Sequence, residues 1–232
     1  MKRIGAYGGT FDPIHNGHLE IARLVRTWFE LDRMLLIPAY VPPHKDAGSV
    51  TSAYHRYAMS VLATVEDDAI TVSTIEVEAP HLPYTYETVE RLRIEHGPDA
   101  RLYFVMGADS FGDLRTWKEP ERVLREANLI VVTRPGHDVF VSDLPDRFKI
   151  AVEDLRGRSH GDAVESKSSE ISDLNSQTSG SGLIFLTDLL HLDISSTDIR
   201  RRVRTGASIE GLVRPEVAEY IRKYELYGRA SQ

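Results

Sequence analysis

GGTFDPIHNGH, residues 8–18, places a pair of adjacent glycines, an aspartate and two histidines three positions apart inside eleven residues. The stretch follows an apolar run, Arg3 to Tyr7 (RIGAY), and precedes helical spacing at Leu19, Ala22, Leu24, Val25 and Phe29. The run reads as a short buried strand and the spacing as an amphipathic helix, so residues 8–18 form a strand-to-helix turn. Paired glycines let backbone approach a ligand closely, and a helix N-terminus presents N–H groups and the positive end of its dipole to an anion. Gly8, Gly9, Thr10 and Phe11 therefore read as the wall of an anion site. The turn has neither the Gly-x-Gly-x-x-Gly spacing of dinucleotide folds nor the Gly-Lys-Ser/Thr ending of a P-loop. Asn16 reads as the helix N-cap, with His18 in the first turn and His15 just before it, both imidazoles aimed at one phosphate. Taken alone, the pair reads more readily as a capped turn with two solvated histidines, and the flanking glycines and Thr10 shift the balance toward a phosphate site.

Outward from this turn the alternation repeats. Strands are expected at Arg33–Pro38, Ile70–Val77, Leu102–Met106, Leu129–Thr133 and Leu183–Leu186. Helices are expected at Thr51–Val65, on the spacing of Ala58, Val61, Leu62 and Val65, and at Tyr84–Glu95. Shorter helices are expected around Asp109 and at Glu119–Glu126, and a last amphipathic helix at Pro215–Tyr224. Repeated βα units imply an α/β fold, a Rossmann-like doubly wound parallel sheet, here with a small C-terminal helical part. Ligands of such sheets bind at the carboxyl ends of the strands, where residues 8–18, 107–109 and 133–134 should share one rim.

With 232 residues the chain suits a single domain, 1–232, and residues 157–182 are too rich in Ser and Gly to bury much surface, so they read as a flexible insertion. Composition narrows the chemistry further. There are no cysteines, which excludes disulfides, thiolate catalysis and Cys-based metal centres. A formal net charge of -7 argues against wholesale nucleic-acid binding, while small anionic substrates remain compatible with local positive charge. No apolar run approaches the roughly 20 residues of a membrane span, and the start lacks the apolar core of a secretory signal, so a cytoplasmic protein is expected.

A second motif lies near the other end, ISSTDIR, Ile194 to Arg200. Ser195 or Ser196 can cap a helix and hold phosphate, and Arg200 follows Ser196 by one turn. Together, GGTFDPIHNGH and ISSTDIR resemble the paired signature of the nucleotidylyltransferase superfamily, whose first motif is related to the HIGH motif of class I aminoacyl-tRNA synthetases. Four further stretches resemble the bacterial nicotinate-mononucleotide adenylyltransferase family: VPPHK (41–45), PYTYET (83–88), GADSFGDLRTW (107–117) and TRPG (133–136).

This resemblance implies transfer of the adenylyl group of ATP to nicotinate mononucleotide, giving nicotinate adenine dinucleotide and pyrophosphate. It implies a catalytic set of His15, His18, Lys45 and Arg200. It places Gly107, Asp109, Ile194, Ser196, Thr197 and Arg200, with the glycine turn and His18, on ATP. Lys45, Thr85, Trp117, Lys118 and Arg134 would meet the acceptor, Trp117 by stacking on its pyridine ring and Thr85 with the backbone near Lys118 on its carboxylate. His44 is placed like Lys45, and Tyr84 and Tyr86 read as core or rim. No dense carboxylate cluster accompanies these motifs, so Mg2+ is expected on the ATP phosphates and water, with no protein metal ligand. The implied partners are ATP and nicotinate mononucleotide, with no nucleic acid and no membrane, and a homo-oligomer is allowed. The rival readings are a sister transferase with another phosphate acceptor and a nucleotide-binding module without turnover.

Overall fold

Seven parallel strands run side by side in the order β3-β2-β1-β4-β5-β7-β6. They belong to a computed structural model that describes residues 1–40, 50–79, 81–133, 139, 152–157, 182–189 and 192–228. The strands are β1 (Arg3–Gly9), β2 (Arg33–Pro38), β3 (Ile70–Val72), β4 (Arg101–Gly107), β5 (Ala127–Val132), β6 (Val152–Asp154) and β7 (Ile184–Thr187). Among the described residues the helices are α1 (Asn16–Trp28), α2 (Ala53–Thr64), α3 (Thr85–His96), α4 (Ala108–Gly112), α5 (Pro120–Glu126), α6 (Ser196–Thr205) and α7 (Pro215–Lys223). A 3-10 turn, Asp113–Thr116, follows α4.

Strand order reverses between β1 and β4, because the chain lays β2 and β3 on one side of β1 and then returns to place β4 on the other. In an open parallel sheet that reversal leaves a crevice at the carboxyl ends, and here it is bounded by Gly9 and Gly107. The sheet is covered on both faces. Alternate residues of the strands point opposite ways, so Tyr7, Met34, Tyr103, Ile130 and Phe185 join Val25 and Phe29 in one buried cluster. Ile4, Ile37, Phe104, Val131 and Leu186 join Val89, Leu92 and Val123 in the other.

The expected elements are present, with four differences. β3 stops at Val72 and does not reach Val77. Ser73 Oγ accepts the Ile75 N–H at 3.2 Å and the Glu78 N–H bonds to the Thr74 carbonyl at 2.9 Å, so local bonds turn the chain out of the sheet. β6 was not expected at all: it is a three-residue edge strand with two acids in it, the short charged form that edges favour. The helix over 51–65 forms, yet it buries Met59 and Ala63 beside a polar stripe and turns out part of the face that the spacing marks. Val61 and Val65 are exposed, at 40% and 68%, whereas Arg56, Ser60 and Thr64 are buried. Ser60 Oγ and Thr64 Oγ1 satisfy themselves on the carbonyls of Arg56 and Ser60, and this lets a polar stripe lie inward.

The fourth difference concerns Gly182, the last residue of the Ser/Gly-rich segment. A Cβ there would sit 2.2 Å from the Ala127 carbonyl oxygen and 2.6 Å from that of Leu124. Gly182 also donates its N–H to Leu124 at 2.5 Å, so this end of the segment is fixed against α5 and β5. Gly182→Ala is expected to destabilise the protein by about 2 kcal/mol or more, because the obstacle is backbone and cannot rotate away. Denaturant unfolding of the two proteins measures this directly. A difference below about 0.5 kcal/mol would mean that the junction relaxes freely.

Candidate active site

The turn after β1 is built by aromatic packing as much as by glycine freedom. A Cβ on Gly8 would lie 2.9 Å from Phe104 Cζ, and one on Gly9 would lie 2.7 Å from Phe11 Cε1. Both glycines are therefore required by the protein's own rings, whatever they also offer a ligand. Phe11 takes a left-handed backbone, φ 47°, unusual for a bulky residue, and its ring is buried edge-on to Tyr7 and to His18. Gly107 differs, because a Cβ there would meet nothing within 4 Å. Thr10, half-buried, gives its carbonyl to Arg56.

His15, not Asn16, is the N-cap of α1. Its backbone N–H donates to His18 Nδ1 at 3.2 Å, and its ring lies face to face on that of His18, centroids 3.6 Å apart. Burial, and then the neighbouring His15, hold His18 well below the ordinary histidine range. A neutral ring whose Nδ1 accepts a hydrogen bond must carry its proton on Nε2, so His18 presents a neutral N–H donor. Asn16 instead anchors the helix start from outside, its side chain donating to the Gly211 carbonyl at 2.8 Å and its backbone N–H to Leu212 at 2.9 Å. One N–H of the expected anion site is thus already used within the protein.

The two sequence motifs meet. Ser195 caps α6 by accepting the Asp198 N–H at 3.1 Å, which leaves Ser196 Oγ to donate to the Pro13 carbonyl at 2.9 Å. Arg200, one turn on, donates to the Asp12 carbonyl at 2.6 Å and to Thr197 Oγ1 at 3.2 Å. Ile194, just ahead of the cap, packs against the cluster that contains Phe11 and Leu19.

A second group gathers at the start of α3. Thr85 is its first residue and Tyr84 its N-cap, with Glu87 Oε2 accepting the Tyr84 N–H at 2.8 Å. Tyr84 and Tyr86 stack at 6.0 Å, Lys118 Nζ lies 4.4 Å from the Tyr84 ring centre, and Arg122 lies 4.1 Å from that of Tyr86. Lys118 thus reaches Tyr84, the residue before Thr85. Trp117, half-buried, sets its ring edge against Phe104 of β4. Asp109 stands exposed in the first turn of α4, whose N-cap is Gly107, so Asp109 is not the cap that its position after a strand suggests. His44, Lys45 and Arg134 lie outside the described residues.

Three polar residues, two of them buried and Glu76 half-buried, were assigned no role from the sequence. Arg56 is 1% exposed and donates to four backbone carbonyls: Thr51 at 2.8 Å, Thr10 at 2.7 Å, Ala39 at 2.6 Å and Tyr40 at 2.8 Å. Burial lowers its pKa, and the charges of Asp12 and Glu76 oppose that. Glu76 accepts from Thr88 Oγ1 at 2.8 Å, and burial raises its carboxyl to about 7. Asp12 is 2% exposed and holds the hydroxyl of Tyr227 and the N–H of Thr51. Among the described residues no group of three or more His, Cys, Asp or Glu is arranged to hold a metal, and no helix is long and apolar enough to cross a membrane.

Comparison with known proteins places this geometry. The cytidylyltransferase-like family matches residues 6–202. The chain is 36% identical over 225 residues to a protein of Thermoanaerobacter sp. (strain X514) described as "Probable nicotinate-nucleotide adenylyltransferase", covering 97% of this chain and 94% of that one. It is 39% identical to a protein of the same description from Pelobacter propionicus, covering 97% and 98%. In fold it matches Plasmodium falciparum nicotinic acid mononucleotide adenylyltransferase complexed with NaAD, with a TM-score of 0.70, 20% identity and 98% of both chains covered. A sheet reversal flanked by a GGTFDPIHNGH turn, locked to an ISSTDIR helix, and identity of this extent along nearly the whole chain make it a nucleotidyltransferase, a member of the nicotinate-nucleotide adenylyltransferase family.

Proposed function

We propose that the protein joins ATP and nicotinate mononucleotide into nicotinate adenine dinucleotide, releasing pyrophosphate, as a cytoplasmic step of NAD biosynthesis. The observation that carries this reading is the contact between the two motifs, Ser196 on Pro13 and Arg200 on Asp12, which brings a neutral histidine donor and a guanidinium to one rim. A phosphate oxygen of the acceptor, already an anion near neutral pH, attacks the α-phosphorus of ATP. The new P–O bond forms as the bond to the β-phosphate oxygen breaks, and pyrophosphate leaves with that electron pair. No general base is needed, so catalysis rests on alignment and on compensating charge at the α-phosphate and the leaving group.

In this reading His18 Nε2–H donates to the phosphates, and the His15 ring stacked on it fixes its direction. Arg200, with donors beyond those given to Asp12 and Thr197, supplies positive charge, as does Lys45. The glycine turn, Gly107, Asp109 and the start of α6 surround ATP. Arg134 and Lys45 meet the acceptor phosphate. Mg2+ travels mainly on the ATP phosphates. The whole chain acts as one domain with 157–182 as its insertion.

Thr85, Lys118 and Trp117 form the pyridine end of the acceptor site, supported by the approach of Lys118 to the start of α3. Trp117→Ala should raise KM for nicotinate mononucleotide about tenfold or more with a smaller effect on KM for ATP, stacking of this kind being worth about 1–3 kcal/mol. Initial rates over a range of each substrate test it, and equal shifts in both constants would remove Trp117 from the acceptor site.

The reaction itself is tested by pyrophosphate release with Mg2+ and ATP, comparing nicotinate mononucleotide, nicotinamide mononucleotide and phosphopantetheine. Preference for the first is expected. Turnover of another acceptor would keep the histidine chemistry and displace the acceptor, and silence with all three would favour a binding module.

A further inference from the structure

Asp12 is a carboxylate buried inside the turn that leads from β1 to the histidines, and its contacts come from distant parts of the chain. Oδ1 accepts the hydroxyl of Tyr227 at 2.6 Å, across 215 positions, and Oδ2 accepts the N–H of Thr51 at 3.2 Å. Its own carbonyl accepts Arg200 at 2.6 Å. Tyr227 lies just beyond α7 in a left-handed conformation, φ 62°, so the chain bends at that residue to deliver the hydroxyl. Burial and the Asp12 charge push that hydroxyl far above its ordinary range, so it remains a donor throughout the physiological range.

The backbone that Tyr227 steadies through the Asp12 side chain is the backbone that seats Arg200. We propose that Tyr227 is a positioning residue for adenylyl transfer, its hydroxyl holding Asp12 so that the Asp12 carbonyl keeps the Arg200 guanidinium directed at the ATP phosphates. This rests on the adenylyl-transfer reading above. Tyr227 touches no substrate in it and acts only through Asp12.

The test is Tyr227→Phe, which removes one oxygen and keeps the ring. Expected are a fall in kcat of about tenfold or more, ATP binding at least about fivefold weaker by calorimetric titration, and KM for nicotinate mononucleotide within about threefold of the parent. In an Arg200→Ala background the same substitution should weaken ATP binding less than about twofold, because the group it positions is gone. A purely structural tyrosine would lower Tm and leave kcat and ATP affinity of the folded protein unchanged, and that result overturns the proposal. So does an equal loss in both backgrounds. ATP affinity does not depend on the acceptor, so a parent without turnover on nicotinate mononucleotide would sink the acceptor reading while the binding comparison still decides the role of Tyr227. Should Tyr227→Phe fail to fold, Asp12→Asn, which keeps an acceptor for the hydroxyl, is set against Asp12→Ala. ATP binding at least about fivefold tighter in the Asn variant supports the role, and equal affinities overturn it.

Discussion

Replacing His18 by alanine is expected to lower the rate of adenylyl transfer at least ~100-fold with the fold retained, the usual cost of deleting one preorganised donor to developing charge. The ring is held by three fixed contacts: the His15 N–H at Nδ1, the His15 ring against its face, and the Phe11 ring edge-on at 5.0 Å. Its Nε2–H is therefore oriented before substrate arrives, and little reorganisation is needed at the moment of reaction. Because the donor acts as a neutral group, His18→Gln, which places an amide N–H near the same point, should recover about tenfold or more over alanine. Steady-state turnover of the three proteins, with circular dichroism to verify folding, measures both effects. Near-normal turnover in the alanine variant would remove this histidine from the chemistry.

The same neutrality has a signature in stability. The folded pKa of His18 lies well below the value of 6.5 expected of an unfolded histidine. Above pH 6.5 both states are neutral and the group contributes nothing to the pH dependence. Below it the unfolded chain takes up a proton that the folded site resists, so stability falls as pH drops, by about 1.4 kcal/mol per unit at most, until the folded pKa is reached. His18→Gln should flatten that acid limb. Urea midpoints between pH 5 and 7.5 show whether it does.

Arg56→Met should cost at least about 3 kcal/mol of stability and also weaken nucleotide binding, since it strips four buried carbonyls of their donor at once. Arg56→Lys should rescue little, because one ammonium cannot span carbonyls from separate segments as a planar guanidinium does. The functional part follows from which carbonyls these are. Thr10 belongs to the phosphate turn, while Ala39 and Tyr40 on one side and Thr51 on the other flank residues 41–49, which include Lys45. Losing Arg56 should therefore raise KM for both substrates by about tenfold at temperatures where the variant is still folded. Denaturant unfolding and initial rates measure the two halves separately. A variant that is destabilised yet kinetically normal would confine Arg56 to the core.

What the sequence displayed and what it concealed divide along physical lines. Most strands and helices were legible because apolar runs with a period of two or of 3.6 leave few alternatives, whereas the short charged β6 has no such run. The rim followed from that alternation alone, since parallel connection puts every strand's carboxyl end on one side. Arg56 was concealed because a charged residue on a helix reads as solvated, and its partners are backbone carbonyls, which have no letter of their own. The inward stripe of Ser60 and Thr64 was hidden for the same reason, and Val61 and Val65 pointed to the wrong face. The N-cap was placed one residue late because asparagine is the better capper by propensity, whereas here a reciprocal bond between two histidines fixes the end at His15. The pairing of Asp12 with Tyr227 depends on the completed fold and left no local mark.

The closure of the site by Ser196 and Arg200 spans 183 and 188 positions of chain, and this bears on when the protein becomes competent. The glycine turn and α1 leave the ribosome well before α6. Until α6 emerges and docks, Pro13 and Asp12 have no partner from the second motif, and half of the phosphate cradle does not exist. Contacts of such long range carry a large loop-closure cost, so nucleotide affinity is expected only once α6 has docked. ATP should therefore stabilise the docked molecule and not the partly made chain.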